Sequence, residues 1–462
     1  MSRPKYLEYK DSEIEWLGDL PSHWRTIPLK RVASCNDSVL SEKTPENTLI
    51  EYVEISDVDS VLGITGSTAH PFSEAPSRAR RRVRDQDVLV STVRTYLKAI
   101  TPVRNPPPNM VVSTGFAVIR PDFNHLTGGF LGYLFRSEWI ISEIIARSVG
   151  VSYPAINASD IMQLSVPIPQ QQEQVVISCF LDHETAKIDA LIHEQQRLIE
   201  LLQEKRQAVI SHAVTKGLDP TVAMKDSGVE WLGEVPAHWS VEPLKYLCSF
   251  SGGGTPAKEN LEYWNGDIPW VSPKDMKSFR ISGSKDKITG LALNESSTSL
   301  VKAGALLMVV RSGILQRTIP IGINSVDVTL NQDMKALRFK NPDFAEYFAY
   351  FIKGYEPSLL IEWRKQGATV ESIEQEYLGE SLTLVPPLNE VAKIIEHLSH
   401  ADQRYGSLQA EAKKSSAMLL ERRSALISAA VTGKIDVRNW QSPADESAFD
   451  EEVRQAGMEV TV

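Results

Sequence analysis

The sequence predicts an α/β (α+β) protein: two mixed α/β bodies with curved sheets, separated by two long antiparallel coiled-coil helices and related by an internal pseudo-twofold repeat. Three observations carry this prediction. A segment near the start recurs some 215 positions downstream, two long stretches of helix formers share one heptad register, and the residues between them alternate short β-like runs with turn signals.

The repeat is the strongest of the three. Asp11-Ser-Glu-Ile-Glu-Trp-Leu-Gly-Asp-Leu-Pro-Ser-His-Trp24 returns as Asp226-Ser-Gly-Val-Glu-Trp-Leu-Gly-Glu-Val-Pro-Ala-His-Trp239, an offset of 215, and Pro28-Leu-Lys30 matches Pro243-Leu-Lys245. With an offset of 217, Arg206-Gln-Ala-Val-Ile-Ser-His-Ala-Val-Thr215 matches Arg423-Ser-Ala-Leu-Ile-Ser-Ala-Ala-Val-Thr432, and Gly150 and Ile156 fall on Gly367 and Ile373. A period this long is a duplicated module and not a solenoid repeat. The matched parts read as a frame, and the unmatched interiors as two bodies facing different targets.

Each long helix follows a proline-rich lead-in, Val-Pro-Ile-Pro (166–169) or Val-Pro-Pro (385–387), which sets a sharp start. In the first, Ile177, Leu181, Ile188, Leu191, Leu198 and Leu202 lie on a seam of alternating four- and three-residue steps. Adding 217 places Ile394, Leu398, Tyr405, Leu408, Leu419 and Leu426 on a weaker seam in the same register. About 42 residues at about 1.5 Å each make rods of roughly 60 Å. The polar and small residues on both seams favour pairing with each other; packing of each helix on its own body is the alternative. The expected partition is 1–165 for an N-terminal arm and first body, 166–214 for the first helix and 215–238 for a linker with the repeated frame segment. The second body follows at 239–383, the second helix at 384–432 and an acidic tail at 433–462.

Within the bodies, Thr48–Ile55, Val88–Val93, Val111–Ile119, Ala305–Val310 and Ile319–Ile323 read as strands, and Phe130–Ser148 and Phe344–Lys365 as helices. The sheets are expected to be curved and partly barrel-like.

Composition bounds the function. At 462 residues the chain suits two or three domains, and 42% hydrophobic with 8% aromatic residues is the make-up of a folded protein. No apolar run is long enough to span a membrane, and the N-terminal residues lack a signal-peptide core, so a cytoplasmic location is expected. Three scattered cysteines (Cys35, Cys179, Cys248) fit a reducing compartment. The net charge of −10 is uneven: from Asp436 onward two basic residues face seven acidic ones. Residues 24–165 hold 15 Lys/Arg against 14 Asp/Glu, and 239–383 hold 16 against 17, so each body can carry a basic face.

The densest charge, Arg78-Ala-Arg80-Arg81-Arg82-Val-Arg84, fits phosphate contacts with double-stranded DNA or, alternatively, a solvated loop. Arg94, Lys98 and Arg104 follow it; Arg311 and Arg317 are their rough counterparts in the second body, with Lys274, Lys277, Lys285 and Lys287 upstream. Gln316 and Asn331-Gln332 are candidates for reading base edges. Ser251-Gly-Gly-Gly-Thr-Pro256 fits an anion loop or a close backbone approach, and Trp264 and Trp270 fit stacking on a ligand or a core. No catalytic site emerges. Asn105-Pro-Pro-Pro108 lacks the aromatic of an amino-methyltransferase motif, and Cys179/His183 and His397/His400 have metal-like spacing without further ligands nearby. His23 and His238 belong to the repeated frame and have no nucleophile beside them in sequence. No metal site and no cofactor of its own is expected for this chain.

Taken together these residues resemble the specificity subunit of type I restriction–modification enzymes. The resemblance covers nearly the whole chain. Its carriers are the doubled Trp-Leu-Gly-x-x-Pro-x-His-Trp, the Gly-Gly-Thr-Pro loop with Tyr263-Trp-Asn-Gly-Asp-Ile-Pro-Trp, Gly150-Val-Ser-Tyr-Pro-Ala-Ile156, Val-Pro-Ile-Pro-Gln-Gln-Gln-Glu-Gln174 and the two helix endings. Pro387-Leu-Asn-Glu-Val391 departs from the pattern. The resemblance implies that each body is a target recognition domain reading half of a split DNA site. It implies that the helices set the spacer and dock two methylation subunits, which bind S-adenosylmethionine, and that restriction subunits add ATP- and Mg-dependent cleavage. This chain would then be non-catalytic. A scaffold that never touches DNA and a self-contained methyltransferase are the rival readings.

Overall fold

The computed structural model describes residues 4–14, 17–364 and 371–442. Gly367, Trp16 and most of the acidic tail lie outside the described residues. Contacts divide the chain into two units, Met1–Gln196 with Lys414–Val462, and Arg197–Lys413. Both long helices contribute to both units.

Each unit opens on the repeated frame. In the first, Tyr9–Asp11 pairs with Asp19–Pro21, and Arg25–Pro28 pairs antiparallel with Ser165–Ile168. In the second, Met224–Asp226 pairs with Glu234–Pro236, and Ser240–Pro243 with Leu382–Val385. The clasp registers agree, Arg25 opposite Ile168 and Ser240 opposite Val385. One strand of each clasp follows the 215 offset and the other the 217 offset. The two-residue difference therefore lies inside the bodies, and the clasp closes each body at its base.

The first body holds two four-stranded sheets. One is antiparallel, in the order Ile100–Pro102, Val88–Ser91, Phe116–Pro121, Ala33–Cys35; the other is mixed, in the order Thr68–Pro71, Leu49–Val53, Met110–Ser113, Ala79–Arg82. The sheets are open, which corrects the barrel-like expectation. The run expected as one strand over Val111–Ile119 is two, because Thr114-Gly115 turns the chain from one sheet to the other. Period-two alternation then builds two cores from one strand pair. Val88, Val90, Ala117 and Ile119 face the frame and helices, while Leu89, Phe116 and Val118 face the core that also holds Val53 and Val112 of the mixed sheet.

The second body repeats the device with five and three strands. Leu306, Met308, Leu337 and Phe339 face the helices, and Leu307, Val309, Met334 and Ala336 the inner core. The helical stretch beside each sheet is broken at the same place. Gly128–Phe135 and Glu138–Ala146 flank Arg136-Ser137, and Asp343–Trp363 departs from helical geometry at Tyr355.

The long helices span Gln171–Lys216 and Leu388–Val431. Within the first unit Asp189 meets Arg423 at 2.8 Å, and within the second Arg206 meets Asp402 at 2.8 Å. Within each unit the start of one helix packs beside the end of the other, Ile177 and Leu181 with Ile427 and Val431 in the first and Val391 and Ile394 with Ile210 and Val214 in the second, so the pairing is antiparallel in each. Both sequence-based alternatives hold: the helices pair with each other, and each end also packs into the core of a body.

The seam differs from expectation in one of its two rows. Ile177, Leu181, Ile188, Ile394 and Leu398 are buried, and Leu202, Tyr405, Leu419 and Leu426 half-buried, as expected. Leu191 and Leu198 instead are 51% and 43% exposed, and Leu408 is exposed too. The row one residue on faces inward: Ile192 is half-buried and Ile199 is 6% exposed, and Gln409 and Ser416 match them 217 residues later. Both rows recur every seven residues, and Leu191-Ile192 and Leu198-Ile199 are adjacent apolar pairs. Hydrophobicity alone does not choose between them; packing against the partner helix does.

Candidate nucleic-acid interface

The frame residues left without a partner in sequence find one at the helix starts. Glu173 accepts hydrogen bonds from Tyr6 Oη (2.6 Å) and Trp24 Nε1 (3.1 Å), and its other oxygen lies 2.9 Å from His23 Nε2. Glu390, 217 residues on, meets His238 Nε2 at 2.7 Å and accepts from Trp239 Nε1 at 2.9 Å. The repeated His-Trp pair is therefore a clamp on the first turn of each long helix. The opposite helix end closes the same clamp. Gly433, in the left-handed region (φ 69°), lies where a side chain would strike Pro21, and Gly217 (φ 71°) sits against Trp239. Sequence reading missed the glutamates, although their equal offset marked them.

The arginine cluster divides. Ala79–Arg82 is an edge strand with a bulge that leaves Arg80 opposite no residue of Met110–Ser113. Arg80 lies 5.0 Å over the Phe72 ring. Arg81 turns inward, where its Nη1 donates to Asn36 Oδ1 and to the Phe116 carbonyl, and burial pushes its pKa down. The Arg81 guanidinium is thereby committed to the sheet, where Arg78, Arg82 and Arg84 are not. Arg78, Arg82 and Arg84 are exposed, and no ion pair holds them among the described residues.

Arg94 and Lys98, paired in sequence, point to different places. Both adopt left-handed geometry (φ 51° and 54°) at the two ends of the short turn Thr95–Leu97. Non-glycine residues there are strained, a feature that clusters at functional sites. Arg94 N donates to Pro154 O at 2.8 Å, Val93 bridges to Ala155, and the Arg94 guanidinium lies 4.8 Å over the Tyr153 ring. This knits the Gly150–Ile156 motif onto the turn. The joined loops expose Val149 (80%), Val151 (102%), Tyr153 (66%), Tyr96 and Leu97. They border a cleft of about 810 Å³, lined also by Arg78, Tyr52, Glu54 and Ser56. Lys98 lines another, smaller cavity. Arg104 is ion-paired with Asp182 of the first long helix at 2.8 Å, and that hydrogen bond raises its pKa.

In the second body the bridge pattern fixes the correspondence. Arg311 bridges to Ser372 as Val93 does to Ala155, and Ser312 N donates to Glu371 O as Arg94 N does to Pro154 O. Arg94 thus matches Ser312, not Arg311, and the two bodies present different chemistry at one position. Arg311, Gln316 and Arg317 are exposed around the turn Gly313–Gln316. Lys274, Lys277 and Lys285 share a polar cleft of about 630 Å³, with Lys274 ion-paired to Asp286 at 2.6 Å. Asn331 is buried and folds onto its own turn through Asp333. Gln332 is exposed and accepts from Thr255. The glycine loop is a close approach: a Cβ on Gly253 would collide with the Asn331 carbonyl, and one on Gly254 would lie 2.6 Å from Ser297 Oγ. Trp270 is buried, edge-on to Trp264 at 5.3 Å, and donates to Gly254 O. Trp270 is core, and Trp264 packs half-buried against it. Among the described residues no three His, Cys, Asp or Glu are grouped to hold a metal ion, and no helix is long and apolar enough to cross a membrane.

The model of the type I restriction modification DNA specificity domain matches residues 84–202 and 236–414. The chain belongs to this family, the specificity subunits of type I restriction–modification enzymes. It is 37% identical over 191 residues to the EcoR124I/EcoR124II specificity subunit of Escherichia coli, covering 41% of this chain and 45% of that one. It is 30% identical over 177 residues to the MjaIX specificity subunit of Methanocaldococcus jannaschii, covering 37% and 39%. The matches to these two relatives thus span less than half of their lengths. In fold it is similar to a chain from a type I system studied for its assembly and conformational transition (TM-score 0.68, 23% identity, 89% and 98% of the two chains). It is also similar to the HsdS subunit of Thermoanaerobacter tengcongensis (TM-score 0.52, 22% identity, 90% and 98%).

Proposed function

We propose that the chain confers DNA sequence specificity on a cytoplasmic type I restriction–modification complex, each body reading one half of a bipartite, asymmetric site. The observation that carries this reading is the joined loop pair of the first body. Arg94 stacked on Tyr153, with Val149, Val151, Tyr96 and Leu97 exposed and Arg78 beside them, offers what DNA needs: cations for phosphate and apolar surface for base edges. A contiguous exposed apolar patch on a strained, hydrogen-bonded loop has no packing role of its own. The different chemistry at the matching turn of the second body supports a different half-site there. The chain itself performs no catalysis. Methylation of adenine falls to two methylation subunits carrying S-adenosylmethionine, docked along the helices, and cleavage to restriction subunits using ATP and Mg.

The helices act as the ruler. Inserting one heptad at equivalent points of both adds about 10 Å, or about 3 base pairs at about 3.4 Å each. Methylome sequencing of a host carrying that variant is expected to show the same two half-sites with a spacer lengthened by about that much. Altered half-sites with an unchanged spacer would contradict the ruler.

A further inference from the structure

The two units solve one electrostatic problem differently. In the second unit Asp402 gathers three side chains from its surroundings. Arg206 lies 2.8 Å away, Lys353 lies 3.7 Å away, and Tyr350 Oη donates to it at 3.4 Å. In the first unit the same places hold Arg136 (for Lys353), Tyr133 (for Tyr350) and Thr185 (for Asp402), each 217 residues earlier, and Arg423 (for Arg206), 217 residues later. The correspondence is structural as well. Tyr133 Oη meets Thr185 Oγ1 at 3.2 Å, and Arg136 lies 4.3 Å over the Tyr133 ring as Lys353 lies 5.2 Å over that of Tyr350. Ser428 accepts from Glu138 N at the helix break, where Ser211 donates to Gly354 O.

The carboxylate is what the first unit lacks. Arg423 turns to Asp189 and Tyr133 to Asp182. Arg136 is left with the Gly132 carbonyl and no carboxylate within ion-pair distance among the described residues. Burial lowers its pKa; Tyr133 opposes this, and the neighbouring charges of Arg423 and Arg104 add to the lowering. Leaving a guanidinium so placed is costly unless an anion arrives. Beside it is a cavity of about 120 Å³, lined by Lys98, Arg136 and Arg423 with a single acid, Glu138, which already accepts from Ser424 Oγ at 3.0 Å. Lys98 reaches this cavity from its left-handed backbone position.

We propose that the cavity bounded by Lys98, Arg136 and Arg423 binds a phosphate group, which stands in for the carboxylate that Asp402 supplies in the second unit. The site takes one oxyanion and is too small for a nucleotide. It is independent of how the bodies read bases.

The test is thermal unfolding of the full chain in sodium phosphate against sodium chloride at matched ionic strength. Phosphate is expected to raise the Tm of the wild type. Arg136→Met is expected to need about tenfold more phosphate for the same shift, the loss of one charge-assisted hydrogen bond. Lys98→Met reads the same interaction should Arg136→Met fail to fold. Thr185→Asp combined with Asp182→Ser, which writes the second unit's Asp402 and Ser399 into the first, is expected to abolish the phosphate response. A short duplex that removes the response identifies the ligand as a backbone phosphate, and a response that persists identifies it as free phosphate; either supports the site. Equal responses in wild type and both methionine variants, or none in the wild type, would overturn it.

Discussion

Replacing Glu173 with alanine is expected to destabilise the protein by about 3–5 kcal/mol, the scale for removing one partner of a buried, charged hydrogen-bond network. Glu173 is 7% exposed and satisfies Tyr6, His23 and Trp24 together. Alanine would leave two buried donors and an imidazole unsatisfied. Glu390→Ala removes the equivalent clamp, but that carboxylate is 32% exposed and serves only His238 and Trp239 among the described residues. Water reaches what it would leave, so about 1–2 kcal/mol is expected. Urea unfolding of the two variants checks the order. Equal losses would show that the clamps are not what distinguishes the two units.

The second large effect concerns DNA. Replacing Arg78, Arg82 and Arg84 together with serine is expected to reduce the slope of log affinity against log salt by about one for each phosphate no longer neutralised. The fold should be unaffected, because none of the three is held by an ion pair among the described residues. Arg81→Ser is expected to behave in the opposite way. It removes the guanidinium shared by Asn36 and Phe116, lowers stability and leaves the salt slope alone. Binding of bipartite duplexes between low and moderate salt, with the methylation subunits present, separates the two. A slope unchanged by the triple substitution would remove this strand from the interface.

The frame was legible in the sequence because it is written twice. Equal offsets marked the clasps, the helix starts and the helix ends without any knowledge of geometry. What periodicity could not decide was a choice between equals, as at Leu191-Ile192, where two apolar residues compete for one seam and the partner helix picks the second. The arginine cluster divides for a related reason. Alternation along a strand sends Arg81 inward between Arg80 and Arg82, and the bulge that sets this register depends on a strand some thirty residues away. Tyr153 and its neighbours lay in a motif used for the resemblance and were not recognised as a surface, since exposure is a property of the fold. The cavity of Lys98, Arg136 and Arg423 joins three distant segments, and only the structural equivalence of Thr185 with Asp402 exposes the missing acid.

On the proposed function, two interchangeable bodies on one duplicated frame read two independent half-sites. The most direct measurement exchanges residues 244–381, the whole second body between its clasp strands, for the corresponding body of another specificity subunit. The methylome of a host with the partner subunits is then sequenced. The expected result is a bipartite adenine-methylation motif in which one half changes while the other half and the spacer stay as they were. A motif that is unaltered, or one in which both halves change, would contradict it.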